Sequence, residues 1–239
     1  METHEAPQFV GFRPETFTFL ADLSANNTKE WFEDHRSIYV TAVQQPAVAL
    51  VGALGRSLQE AYPSIAYDTR TNGSGSLMRI HRDTRFSADK SPYKTNVAMM
   101  FVPRGRKKMD AAGFGLQIST RGVEMMAGVF RFAKEQLAVY RDKVIEQTAG
   151  GELVDAVAQI SAAGAYHLSD KTYKRVPRGF DADHPRAEWL QYAGLYVSAP
   201  QLPVDAAQDA GLVDAIMTHF RAMAPLQQWL SQHVYGDDR

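Results

Sequence analysis

Apolar residues recur at helical spacing through the first quarter of the chain, and that spacing predicts where each helix starts and stops. Pro14-Glu15 opens a first turn that tolerates proline, and Phe17, Leu20 and Leu23 follow at intervals of three, giving a short amphipathic helix that ends near Asn26. Asn27, with Glu30 three residues on, has the form of a capping box and begins a second helix from Trp31-Phe32 to Gln44, with Trp31, His35 and Tyr39 on one face. Pro46 restarts the chain, and Val48, Leu50, Val51, Leu54 and Leu58 carry a third helix to about Ala61, where Tyr62-Pro63 ends it.

In the middle of the chain the period shortens. Leu77 to Arg82, Val97 to Val102, Phe114 to Thr120 and Val123 to Phe130 are short β-favouring runs; in the third, Phe114, Leu116 and Ile118 alternate with Gly115, Gln117 and Ser119, the pattern of a half-buried strand. Thr120-Arg121-Gly122 is short enough to join the last two as a hairpin, with Gly122 able to take positive φ. Helical spacing returns in Leu137, Tyr140 and Val144 and again in Leu153, Val157 and Ile160, divided by Gly150-Gly151. A loop-rich stretch from Ala163 to Pro185, a strand at Leu195 to Ser198 and a last helix from about Ala206 to Leu230, with Pro225 as a point of interruption, complete the pattern. Helices, then strands, then helices predict an α+β fold: a single domain over residues 1–239, with an antiparallel sheet in the middle of the chain covered by the N- and C-terminal helices.

Composition removes several function classes. The chain carries 26 Lys+Arg against 27 Asp+Glu, a formal net charge of -1, so overall charge does not drive polyanion binding and any anion site is local. Cysteine is absent, which excludes disulfides, thiolate metal ligands, thiol nucleophiles and iron-sulfur clusters and suits a reducing compartment. No apolar run approaches the ~20 residues of a membrane span. Met1-Glu2-Thr3-His4-Glu5 lacks the basic and apolar regions of a signal peptide. The expectation is a cytoplasmic protein without a membrane partner.

Charge is unevenly spread, however. Residues 79–108 hold nine Lys or Arg against two Asp, a local +7 against -8 for the rest of the chain. Like charges ~8 Å apart repel by roughly 2 kcal/mol at an effective dielectric of ~20, a cost that solvent, aspartate pairing or a bound anion must relieve. Gly105-Arg106-Lys107-Lys108 reads as a solvated turn between strands. The block from Arg79 to Lys94 differs, because Phe86 and Tyr93, which need cover, are interleaved with its charges. On a strand, Arg79, His81 and Asp83 point to one side and Arg82 to the other, and a turn after Asp83 brings both sets together. Arginine's planar fork fits a carboxylate or phosphate, and lysine adds point charge. The candidate anion-binding residues are therefore Arg79, Arg82, Arg85, Lys90, Tyr93 and Lys94, supported by Asp83, Ser87, Asp89, Trp31 and Arg178. The competing reading is an internal ion-pair lattice in which Asp83 and Asp89 hold the arginines and pin a long loop to the domain.

The stretch from Phe12 to Phe32, centred on Asn26-Asn27-Thr28-Lys29-Glu30-Trp31-Phe32, and the block Arg82-Asp83-Thr84-Arg85-Phe86-Ser87-Ala88-Asp89-Lys90-Ser91-Pro92-Tyr93-Lys94 resemble the two signatures of domain-of-unknown-function family 2461 (DUF2461), a set of bacterial and fungal proteins. Pro177-Arg178-Gly179-Phe180-Asp181, followed by His184-Pro185, is a third and weaker similarity. The resemblance spans about Phe9 to Tyr196, and the helix after Pro203 matches nothing distinctive in it. It implies a single α+β domain of unassigned activity and carries over no catalytic residue.

Other motifs are weaker. Ser87-Ala88-Asp89-Lys90 and Ser91-Pro92-Tyr93-Lys94 each satisfy Ser-x-x-Lys, but the Ser-Asp-Asn and Lys-Thr-Gly partners of serine acyl-transfer enzymes are missing, Lys94-Thr95-Asn96 being only a near match. The two hydroxyls read as turn-forming groups. His81 with Asp83, and Asp181 and Asp183 with His184, lack metal-ligand spacing, and the nearby arginines repel a cation, so neither a metal nor a cofactor is expected. His35 reads as a packed, hydrogen-bonded residue. Asn72-Gly73-Ser74-Gly75-Ser76 precedes a strand instead of a helix and reads as a flexible loop, not a phosphate cradle. The expected function is a pocket for a small phosphorylated or carboxylated molecule, with catalysis left open. The alternative is a nucleic-acid or protein interaction module on the same basic surface, with Phe86 and Tyr93 as stacking groups, although no RNA-recognition, KH, zinc-finger or helix-turn-helix signature accompanies them. A concave cleft holding Arg82, Arg85, Lys90 and Lys94 favours the small ligand, and a ridge continuous with Arg106-Lys107-Lys108 the polymer. No motif encodes the oligomeric state.

Overall fold

Helix α1 (Pro14–Ala25) begins with its proline in the first turn, where no intrahelical N–H is lost, and buries Phe17, Phe19, Leu20 and Leu23. The computed structural model describes residues 8–85 and 87–236; the readings made on Met1 to Glu5 and on Phe86 fall outside them. Helix α2 (Lys29–Asp34) follows, and its cap is Thr28, whose hydroxyl accepts the Trp31 N–H at 3.2 Å, not Asn27 paired with Glu30. The capping-box reading is one residue early because the Asn27 amide is committed to a distant segment.

The chain also fails to break at Pro46. A single helical turn, α3 (Arg36–Ile38), leads into a π-helical stretch, Tyr39–Gln44, that runs directly into α4 (Gln45–Ala61). Pro46 has no N–H for the Ala42 carbonyl, and the wider turn, in which the Gln45 N–H reaches back to Val40, accommodates its ring. The Ala42 carbonyl instead accepts the hydroxyl of fully buried Thr16, on α1, at 2.5 Å. Because the stretch is continuous, Arg36–Ala61 is long and apolar enough to cross a bilayer by length and composition, which the reading with a break at Pro46 does not anticipate. Leu50, Val51, Leu54 and Leu58 are fully buried in the protein, so this apolarity is the core face of α4.

One antiparallel sheet runs in the order β1-β2-β3-β4-β6-β5, formed by β1 (Ile65–Ala66), β2 (Val97–Pro103), β3 (Gly113–Ser119), β4 (Gly122–Val129), β5 (His167–Leu168) and β6 (Leu195–Ser198). Four of the predicted runs are strands β2, β3, β4 and β6. β1 and β5 are two residues each, too short for a period to show. The run from Leu77 to Arg82 is not a regular strand: it bridges residues 93–99 only at Leu77–Met99 and His81–Tyr93, with further backbone bonds from Met78 to Ala98 (2.9 Å) and from Lys94 to Ile80 (2.7 Å). β3 is buried on both faces except at Gln117, so its half-buried pattern survives at that one position. Gly122 has φ 122°, and a Cβ there would stand 2.1 Å from the Leu202 carbonyl oxygen, which keeps Val123 and Leu202 close enough to exchange backbone bonds at 2.9 and 3.0 Å.

Helices α5 (Lys134–Ile145) and α6 (Gln147–Ala163) part at Glu146, ahead of the Gly150-Gly151 pair that marks the break in the sequence. Gly150 serves a different purpose. The Arg186 guanidinium crosses there and donates to the carbonyls of Val144 (2.7 Å), Ile145 (3.0 Å) and Glu146 (3.1 Å), capping α5, and a Cβ on Gly150 would lie 2.4 Å from its Nε. A 3-10 turn at Ala187–Gln191, the short α7 (Val204–Ala207) and α8 (Leu212–His233) follow, and Pro225 lies inside α8 without ending it. The fold is α+β in a single domain with helices at both ends of the chain. Packing groups it into two compact units: Met1–Phe101, Gly115–Glu124 and Gln201–Met217 form the first, and Val102–Phe114, Met125–Pro200 and Thr218–Arg239 the second. The first is built on Phe12, Leu20, Phe32, Leu50 and Leu54; in the second, Phe114 packs on Phe220 and Tyr140 on Trp229.

Candidate functional site

The described residues of the Arg79–Lys94 block lie in the first unit, and Tyr93 sets their position. The Asn27 amide pairs with the Tyr93 backbone in both directions, its Nδ2 donating to the carbonyl and its Oδ1 accepting the N–H, each at 3.0 Å. A side-chain amide here does the work of a neighbouring strand. The Tyr93 ring, 2% exposed, stacks on Phe32, itself 1% exposed, with 4.1 Å between centroids, and tilts against His81 at 5.2 Å. Tyr93 is therefore an anchor joining the two signature segments and does not reach the candidate site as an anion ligand.

The charged groups form a chain of local pairs. Arg85 clasps Asp83 through Nε (2.9 Å) and Nη2 (2.7 Å), and its backbone N–H adds a third bond at 3.2 Å. Those bonds hold the Asp83 carboxyl at about 2. Arg82, half-buried, pairs with one oxygen of Asp89, while the other accepts the Ser91 hydroxyl (2.6 Å) and N–H (2.8 Å); the Ser91 bonds, then Arg82, hold this carboxyl at about 2 as well. Lys90 donates to the Thr84 carbonyl and Lys94 to the Arg79 carbonyl, each at 2.9 Å. Burial, with the charge of Arg79 as the lesser cause, pushes the Lys94 ammonium below the ordinary lysine range. The pairings expected of a lattice are present, but the Arg85 and Asp83 side chains are 77% and 59% exposed, so this pair closes a turn in solvent and adds little to stability.

Beside this chain of pairs lies a pocket of about 450 Å³, lined by Arg82, Asp83, Lys94, Thr95, Asn96, Ala98 and Gln117. Of the six anion candidates it gathers Arg82 and Lys94. Arg79, Arg85, Lys90 and Tyr93 do not line it. Among the supporting residues, Asp83 lines it and Asp89 acts through Arg82. Ser87 sits half-buried in the loop, its N–H 3.4 Å from the Thr84 carbonyl. Trp31 is half-buried too, stacked on His35 at 4.0 Å and packed against Phe19 at 5.6 Å. Arg178 is exposed in the second unit, on a turn closed by Phe180 and Pro177.

Asn96 and Gln117 are absent from the sequence reading of the site. The side-chain oxygen of Asn96 is buried and accepts no bond. Gln117 donates from Nε2 to Glu124 at 3.1 Å, and Arg121 donates to the other Glu124 oxygen at 2.9 Å. Gln117 carried a signal: it is the one long polar residue in an apolar strand run. Asn96 carried none, because its place depends on the irregular pairing of residues 76–82 with 92–100.

Other readings resolve locally. The Ser91 hydroxyl is bonded to Asp89, and both lysines are bonded to carbonyls, so neither Ser-x-x-Lys match forms a serine–lysine pair. His35 Nδ1 lies 2.7 Å from the Trp31 carbonyl, packed as expected. In the glycine-rich loop, Ser74 folds onto Asn72 through its N–H (3.0 Å) and hydroxyl (2.6 Å), and Gly73 lies against the Arg79 stem. Gly105-Arg106-Lys107-Lys108 follows β2 in a turn closed by the Arg106 N–H on the Pro103 carbonyl at 3.1 Å, with Gly105 and Lys107 exposed; the half-buried Arg106 side chain donates from there to the Tyr235 carbonyl at 2.7 Å. Among the described residues, no three His, Asp or Glu side chains group closely enough to hold a metal ion.

A search of the curated proteins gives no match. A family model described as a conserved hypothetical protein matches residues 15–229, which takes in most of α8 and so extends past Tyr196, where the sequence likeness was read to end. With that coverage, and with Asn27 and Tyr93 binding the two signature segments together, the chain belongs to the DUF2461 family.

Proposed function

We propose that the pocket beside Arg82 and Lys94 binds a small molecule through a phosphate or carboxylate group. The observation that carries this is Lys94. Its ammonium is half-buried at the pocket wall, bonded to a backbone carbonyl, with Arg79 opposing its charge and, among the described residues, no carboxylate within ion-pair distance. A bound anion relieves both costs. The neighbouring aspartates do not oppose it. Asp83 is neutralised by the Arg85 fork, and Asp89 keeps its Ser91 bonds when Arg82 turns to a ligand. The volume suits a metabolite-sized molecule. A polymer finds less here, because Lys90 is bonded within the loop and Arg106 to the Tyr235 carbonyl. A chain without cysteine suits a cytoplasmic setting for such a ligand.

Titration calorimetry with inorganic phosphate, backed by thermal unfolding, tests the reading. Lys94→Met is expected to weaken phosphate binding at least tenfold, the equivalent of ~1.5 kcal/mol or more for a charge-assisted bond, while the ligand-free protein unfolds at the same temperature or higher. Equal phosphate binding by wild type and Lys94→Met overturns it.

A further inference from the structure

The acceptor in the pocket narrows the ligand further than its cations do. Gln117 Nε2 is committed to Glu124, and Glu124 is held from its other oxygen by Arg121, so the Gln117 amide is locked with its carbonyl oxygen as the end left for a ligand. Asn96 lines the same pocket, but its own amide oxygen is buried and out of a ligand's reach. Arg82 and Lys94 thus share the pocket with one amide oxygen, that of Gln117, left to accept from a ligand. A volume of about 450 Å³ also exceeds what a bare phosphate or a short carboxylate fills.

Resting on the anion-pocket reading, we propose that the ligand is a hydroxylated anion, a phosphorylated or carboxylated polyol, whose charged group meets Arg82 and Lys94 and whose hydroxyl donates to Gln117 Oε1. A plain alkyl phosphate satisfies the cations and leaves the Gln117 acceptor to water. A polyol phosphate satisfies both.

The test compares inorganic phosphate, n-propyl phosphate and glycerol 3-phosphate by titration calorimetry on the full chain. Glycerol 3-phosphate is expected to bind about three- to tenfold more tightly than n-propyl phosphate, the range of one ordinary hydrogen bond. In Gln117→Met, which keeps the length of the side chain and removes the acceptor, that preference is expected to vanish while n-propyl phosphate binds as before. Equal binding of the two esters by the wild type overturns the polyol assignment and leaves the anion pocket standing. A persisting preference in Gln117→Met overturns the role of Gln117. No binding of any of the three overturns the pocket reading itself. The wild-type comparison decides the matter even where the variant does not fold.

Discussion

Phe32 and Trp31 are adjacent in the sequence and unequal in the fold. Phe32 is stacked on Tyr93 inside the first unit, whereas Trp31 keeps one side in solvent. Phe32→Ala is therefore expected to cost about 3–5 kcal/mol and Trp31→Ala about half of that or less, measured by urea unfolding. Arg85→Ala is expected to lower the urea midpoint only slightly, far less than Phe32→Ala, because the carboxylate it releases is already in water. The acidic side of the block titrates in a defined window. Asp83 and Asp89 fall from an unperturbed 3.8 to about 2 in the folded protein, so their pairs stabilise it fully above pH ~4 and lose that contribution as pH falls toward 2. Carboxyl NMR titrations are expected to show both midpoints near 2. Ser91→Ala raises the Asp89 midpoint and leaves that of Asp83 alone, because Ser91 is the largest cause of the Asp89 shift; a lowered or unmoved Asp89 midpoint contradicts the assignment.

At the scale of elements, polar side chains replace backbone bonds that the regular structures cannot make. Thr16 donates to the Ala42 carbonyl, to which Pro46 four residues on offers no N–H, so Thr16→Val is expected to cost about 1–3 kcal/mol through loss of this buried hydrogen bond. Restoring an N–H with Pro46→Ala is expected to shrink that cost, and a double-mutant cycle by chemical denaturation reads the coupling as non-additivity. Asn27 stands in for a strand beside Tyr93, which explains why a cap-forming residue does not cap. Arg186 closes α5 on three carbonyls, a task its planar fork performs and a lysine does not. Arg186→Lys is therefore expected to speed amide exchange in the last turn of α5 while leaving residues 27–34 unaffected.

For the molecule as a whole, β2, β3 and β4 each begin in one compact unit and end in the other, so thermal unfolding is expected as a single calorimetric transition with matching van't Hoff and calorimetric enthalpies; two resolved transitions contradict this. The helix–strand–helix order and the strands β2, β3, β4 and β6 were legible in the chain because periodicity is a local property, imposed residue by residue through burial of one face. So was the cluster of charge from Arg79 to Lys94, which is a matter of composition. Which of those charges face a common pocket was not. Arg82 and Lys94 are brought together with Asn96 and Gln117, up to 35 residues away along the chain, by pairing between an irregular segment and the edge of β2, and no spacing in the sequence records that pairing. The helix running through Pro46 was equally hidden, since its missing donor is compensated by Thr16, 26 residues upstream of Ala42. Local pattern determined the elements; where a backbone group or a charge depends on a partner distant in the chain, only the folded structure could name that partner.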